Sequence, residues 1–186
     1  MTTTSKLAFP RRGVLAAGLG AVALALPKAP AVLARTILQR GMSGGGLAQL
    51  DGSDEPRLAN FGVFASAVQL PDGSALVLGK VQWIEAGTDL QLMSTEVIQC
   101  IPIPNRTDGA EVRGRLQVNG EGDFPFVARA MDGGAPGSGL DRVEIEVNTP
   151  AAREGADPGS DDNYSYTAAG NLLAGDLQWI VADIEV

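Results

Sequence analysis

Two stretches of the chain concentrate the carboxylates that metal binding or acid–base chemistry requires. One runs Asp132-Gly133-Gly134-Ala135-Pro136-Gly137-Ser138-Gly139-Leu140-Asp141, the other Asp157-Pro158-Gly159-Ser160-Asp161-Asp162-Asn163. Calcium takes roughly six to eight oxygens from carboxylates, amides and carbonyls on a bent loop. Asp132, Asp141, Asp157, Asp161 and Asp162 are therefore the calcium candidates. Neither stretch follows the EF-hand pattern D-x-[DN]-x-[DN]-G, and the plainer reading of both is a solvated turn in an acidic protein. Two facing carboxylates would also suffice to hydrolyse a glycosidic bond. With 22 acids in the chain no pair stands out, and the rings that a sugar cleft would stack fall mostly on alternating apolar positions, where a core needs them.

Nucleophilic chemistry has fewer openings. Gly41-Met42-Ser43-Gly44-Gly45 has the G-x-S-x-G form of a nucleophile elbow, but the chain contains no histidine to act as its base. Lys80 is the only lysine beyond the first 34 residues, and nothing in the spacing brings it to Ser43. A glycine-rich linker is the better account of residues 41–46. The single cysteine, Cys100, lies in Val97-Ile98-Gln99-Cys100-Ile101, where flanking isoleucines predict a small buried hydrophobe. One cysteine without histidine excludes Cys-His catalysis, the usual zinc sites and an intramolecular disulfide. Gly18-Leu19-Gly20-Ala21-Val22-Ala23 has dinucleotide-fingerprint spacing but no preceding strand.

That last segment belongs to a different pattern. Lys6, Arg11 and Arg12 precede an uncharged run from Gly13 to Leu26, and a short tail with Lys28 ends in Val32-Leu33-Ala34. A basic start, an apolar run and small residues at the end are the layout of an export signal. The run has 14 residues, about 21 Å as a helix, short of a hydrocarbon core of about 30 Å. Paired Arg11 and Arg12 before a weakly apolar Gly/Ala-rich run resemble a twin-arginine signal, with cleavage expected after Ala34. The expectation is an exported chain, in the periplasm, at the cell surface or in the medium, with no permanent membrane span after cleavage.

Residues 35–186 hold ten basic and 22 acidic side chains, a net of −12 within a whole-chain charge of −8. That sign opposes phosphate-backbone binding, so nucleic acid is excluded as a partner. From Ala59 onward, β-branched and aromatic residues alternate with polar ones in short segments separated by Gly, Pro, Asp and Asn. Phe124, Phe126, Ala128 and Ala130 share one face, as do Val143, Ile145 and Val147 opposite Glu144 and Glu146. The segments fall near 59–70, 75–85, 89–94, 96–103, 110–118, 123–131, 141–148, 164–169 and 175–186. Pro71-Asp72-Gly73, Asp108-Gly109, Asn119-Gly120 and Gly170-Asn171 fit tight connections between them. The expected fold is all-β: an antiparallel sandwich or barrel of about eight to ten strands, a meander or Greek key, behind a helical signal peptide. The expected divisions are a signal over 1–34, a Gly-rich linker with a first short strand over 35–57, and a single antiparallel domain over 58–186. Val81-Gln82-Trp83-Ile84 is echoed by Leu177-Gln178-Trp179-Ile180, as two core strands that each need a large ring would be.

From residue 44 onward the order of landmarks resembles the post-COAP domain, a small β domain of unknown function in secreted bacterial proteins. The residues that carry the likeness are Gly44-Gly45-Gly46, Phe61-Gly62, Gly79-Lys80-Val81-Gln82-Trp83, Asp132-Gly133, Pro136-Gly137, Asp141-Arg142-Val143, Tyr166, Gly170 and Gly175-Asp176-Leu177-Gln178. The resemblance implies an exported, non-enzymatic β module and supplies no catalytic residues. The expected function is a binding or structural module that needs no cofactor, with a protein or glycan surface as its partner class. A carboxylate-dependent carbohydrate-active enzyme and a calcium-stabilised adhesion module stand as alternatives.

Overall fold

The computed structural model describes residues 36–52, 55–70, 72–154 and 164–185. Eight strands follow one another there: β1 Thr36–Leu50, β2 Leu58–Gln69, β3 Ala75–Glu85, β4 Gln91–Pro102, β5 Gly109–Val118, β6 Glu121–Met131, β7 Arg142–Val147 and β8 Tyr166–Glu185. Each pairs antiparallel with the next, and β8 closes on β1, so the sheet is a closed up-and-down barrel and not a sandwich. A single turn of helix, α1 (Pro150–Arg153), lies between β7 and β8.

Period-two alternation fills the interior. Ala110, Val112 and Leu116 of β5, Phe124, Phe126, Ala128 and Ala130 of β6, and Val143, Ile145 and Val147 of β7 are all buried, and the register pairs them across neighbouring strands. Trp83 packs in the same core, and Trp179 lies half-buried against it, so the two echoed segments do supply one ring each. The Asn119-Gly120 hairpin has left-handed backbone at both residues, φ 53° and 82°, as a two-residue turn between twisted strands requires.

Three sequence expectations change, each for a local reason. Residues expected to form a linker and a short strand form the 15-residue β1, paired along its length with both β2 and β8. Its glycines are there for close approach and not for flexibility. A Cβ on Gly46 would overlap the carbonyl oxygen of Ala174 in β8, and facing Gly175 holds φ +108°. Opposite, the expected strands 164–169 and 175–186 are one strand, with Gly170-Asn171 inside it. Leu47 pairs with Ala174 but Ala48 with Leu172, which leaves Leu173 as the extra residue of a bulge. Ala168 and Leu172 point inward before the bulge, Leu177 after it, and Leu173 is 56% exposed. This change of phase reads in sequence as two strands. The same holds for 89–94 and 96–103, which are the single strand β4 with register shifts at Ser94/Glu96 and Val97/Gln99.

Two ladders are short, and they shape the rest of the surface. The β3–β4 ladder is confined to Gln82–Ile84 against Gln91–Met93. Just past it the Ser94 hydroxyl accepts the Val81 N–H at 2.8 Å in place of a backbone carbonyl. On β8, pairing with β7 ends at Asn171.

Gly46→Ala should therefore lower stability by about 1–3 kcal/mol through overpacking, measured by urea unfolding. Gly62→Ala, where an added Cβ meets nothing within 4 Å, should stay within about 1 kcal/mol of the parent.

Candidate functional site

Three regions concentrate polar side chains: the two ends of the barrel and the outer face of β5–β7. At one end Glu85 keeps the inward phase of Val81 and Trp83 and is only 4% exposed. Arg57 donates to its Oε1 from Nε at 2.8 Å and from Nη2 at 2.6 Å, and the Tyr166 hydroxyl donates to Oε2 at 2.8 Å. The Trp83 indole N–H in turn donates to the Tyr166 oxygen at 3.1 Å. Burial, reinforced by the hydrogen bond to Glu85 and its charge, raises the Tyr166 pKa, so the hydroxyl stays neutral and donating. Both carboxylate oxygens of Glu85 are taken by the chain's own donors. The cluster ties β3 and β8 to the loop before β2, and each oxygen of its carboxylate is engaged within it.

On the outer face Arg129 sits among three glutamates, with Glu111 at 2.9 Å, Glu144 at 3.0 Å and Glu146 at 2.7 Å. Arg113 donates to Glu111 at 2.7 Å and to the carbonyls of Ala151 and Glu154, tying α1 to the barrel. The Thr149 hydroxyl caps α1 by accepting the Ala152 N–H and donates to Glu146 at 2.7 Å. Burial works to raise the Glu146 pKa. Hydrogen bonds from Arg129 and Thr149, with the charges of Arg129 and Arg113, outweigh it and hold Glu146 below the usual carboxylate range. No helix among the described residues is long and apolar enough to cross a membrane.

Asp132 and Asp141 do come together, along the β8 edge that β7 leaves unpaired. Asp141 is buried and accepts the Gly133 N–H at 2.9 Å through one oxygen and the Leu177 N–H at 2.8 Å through the other. Asp132 accepts the N–H groups of Gly134 and Trp179. Their oxygens thus complete the β8 ladder beyond the bulge, and calcium would have to displace backbone N–H groups to use them. Among the described residues no group of three or more metal-ligating side chains converges. Asp157, Asp161 and Asp162 lie outside the described residues, as do Arg11, Arg12 and the expected cleavage after Ala34. Ser43 stands mid-strand in β1, opposite Phe64, which itself pairs with Lys80. A whole strand separates the serine from the lysine, and the elbow geometry is absent at residues 41–45.

Among the described residues the other end of the barrel is open. Beyond the short β3–β4 ladder lies a cavity of about 220 Å³ walled by Leu38, Ala67, Ala75, Ile101 and Pro102. Arg40, Gln69, Gly73 and Cys100 complete its lining. Cys100 is buried and free, as the sequence predicted, and burial pushes its thiol up to about 11, so it is neutral and unreactive at physiological pH. Arg40 lies two residues before inward-facing Met42, and sequence reading missed it because residues 35–57 looked like a linker. Glu85 was missed too, although its phase with Trp83 was the available signal.

No family model matches the chain, and neither do the curated proteins or the solved structures compared with it. The functional reading therefore rests on the geometry.

Because the folded-state pKa of Glu146 is depressed, its stabilisation is present above the unfolded carboxylate value of about 4.3 and is lost as pH falls through the folded value. Glu146→Gln should lower stability at pH 7 by on the order of 1 kcal/mol and flatten the fall in stability below about pH 4, as read from melting temperature against pH.

Proposed function

We propose that the chain is an exported, non-catalytic β-barrel module that acts by binding or as a structural element at the cell surface or in the medium. It is a module of the kind the post-COAP resemblance implies. One observation carries the reading. The buried acids among the described residues, Glu85, Glu111 and Asp141, have both carboxylate oxygens engaged by donors of the chain itself. A general acid or base must reach the proton it moves, and these three are each held by structural partners, Glu85 and Asp141 within the barrel's ends and Glu111 on its outer face. The filled interior leaves the loops and the open mouth as the surfaces for recognition. The charged outer face of β5–β7 supports a water-facing barrel, since lipid-facing strands carry an apolar band there.

The amino-terminal pattern supports export before any of this surface is used. Expressed in a bacterial host with twin-arginine export, the full chain should appear outside the cytoplasm with Arg35 as its first residue by mass spectrometry. Replacing Arg11 and Arg12 together by lysine should retain it inside. The exported protein should leave a panel of oligosaccharides intact, and its melting temperature should not move with millimolar calcium. Cytoplasmic retention of the parent chain or sugar turnover would overturn the reading, and a calcium-dependent rise would favour the adhesion alternative, since a ligand of the folded state alone raises the melting temperature.

A further inference from the structure

We propose that the open mouth of the barrel is a binding site for a small monocarboxylate with an apolar tail, its carboxylate on Arg40 and its tail directed toward Cys100. The inference rests on the binding-module reading and names the ligand class that reading leaves open.

Arg57, Arg106, Arg113, Arg115, Arg129 and Arg142 all stand in ion pairs, and Arg153 hydrogen-bonds Asn148. Among the described residues, Arg40 and Lys80 are the cations without such a partner. Lys80 lies opposite exposed Phe64, in the outward phase of β3. Arg40 lines the cavity. In a chain of net charge −8, an exposed guanidinium with no carboxylate partner among the described residues, beside apolar walls, is an anion site in waiting, because its planar fork matches a carboxylate with two parallel hydrogen bonds.

The cavity supplies the remaining selectivity. No acid lines it. Asp72, next to the lining residue Gly73, is turned onto Ser74, whose N–H and hydroxyl both donate to its Oδ1. The neutral thiol of Cys100 adds no negative charge. An apolar cavity of about 150 Å³ holds benzene, so about 220 Å³ accommodates a chain of about eight carbons or a substituted ring. One cation, apolar walls and that size together specify an amphiphilic acid and disfavour an amine, a neutral alcohol or a bulky polyanion.

Calorimetric titration of the full chain with octanoate, octylamine and octanol tests the site. Octanoate should bind one to one, at least about tenfold tighter than octanol, with no binding of octylamine. Arg40→Gln should weaken octanoate at least about tenfold while leaving the melting temperature in place, Arg40→Lys should retain part of the affinity, and Lys80→Gln should change nothing. Equal affinity for octanoate and octanol, undiminished binding in Arg40→Gln, or no binding at millimolar octanoate would overturn the site. These outcomes leave export and the lack of turnover untouched, so they are distinguishable from failure of the module reading itself.

Discussion

The barrel depends on the contact between its first and last strands. Closing an eight-stranded sheet requires two strands far apart in sequence to share a full ladder, and here β1 and β8 do so from Thr36 opposite Glu185 to Leu50 opposite Gly170. The approach is close enough that side chains are excluded from part of it. Gly46 and Gly175 face each other where a Cβ would strike the neighbouring backbone, and the Leu173 bulge beside them bends the strand and increases its twist. Without this seam the inward residues of both strands, Met42, Ala48, Leu172 and Leu177 among them, would lose their cover.

The same closure determines where polar groups are needed. β8 is much longer than β7, so part of its edge has no strand beside it, and Asp141 and Asp132 serve its N–H groups instead. An unpaired buried N–H costs about 1–3 kcal/mol, which is reason enough for a buried aspartate at that position. Glu85 does comparable work at the opposite end, where a tyrosine, an arginine and an indole form one chain of hydrogen bonds across two strands and a loop. The short β3–β4 ladder has the opposite effect, leaving one end open with an arginine at its rim.

Much of this architecture was legible in the amino-acid sequence, and the exceptions share a cause. Strands with unbroken alternation, β3, β5, β6 and β7, fall within about two residues of where period two put them. β4 and β8 each looked like two strands because bulges invert the inward phase partway along. β1 looked like a linker because glycines that permit strand–strand contact are the same residues that permit disorder, and composition does not separate the two. That misreading concealed Arg40, whose place at the rim, in the phase of Met42, follows only once β1 is a strand in register with β2. Cys100 was legible from its apolar neighbours alone. Asp132 and Asp141 were legible as a pair but not as backbone acceptors, since the N–H groups they serve lie on β8, more than 30 residues away.

Hydrogen exchange over residues 36–50, followed by mass spectrometry, tests the seam most directly. Amides bonded in a closed ladder exchange only when the barrel opens, so the account predicts protection of this segment equal to that of β5 and β6. Exchange within seconds across residues 36–50, with β5 and β6 still protected, would contradict it and return the segment to a linker.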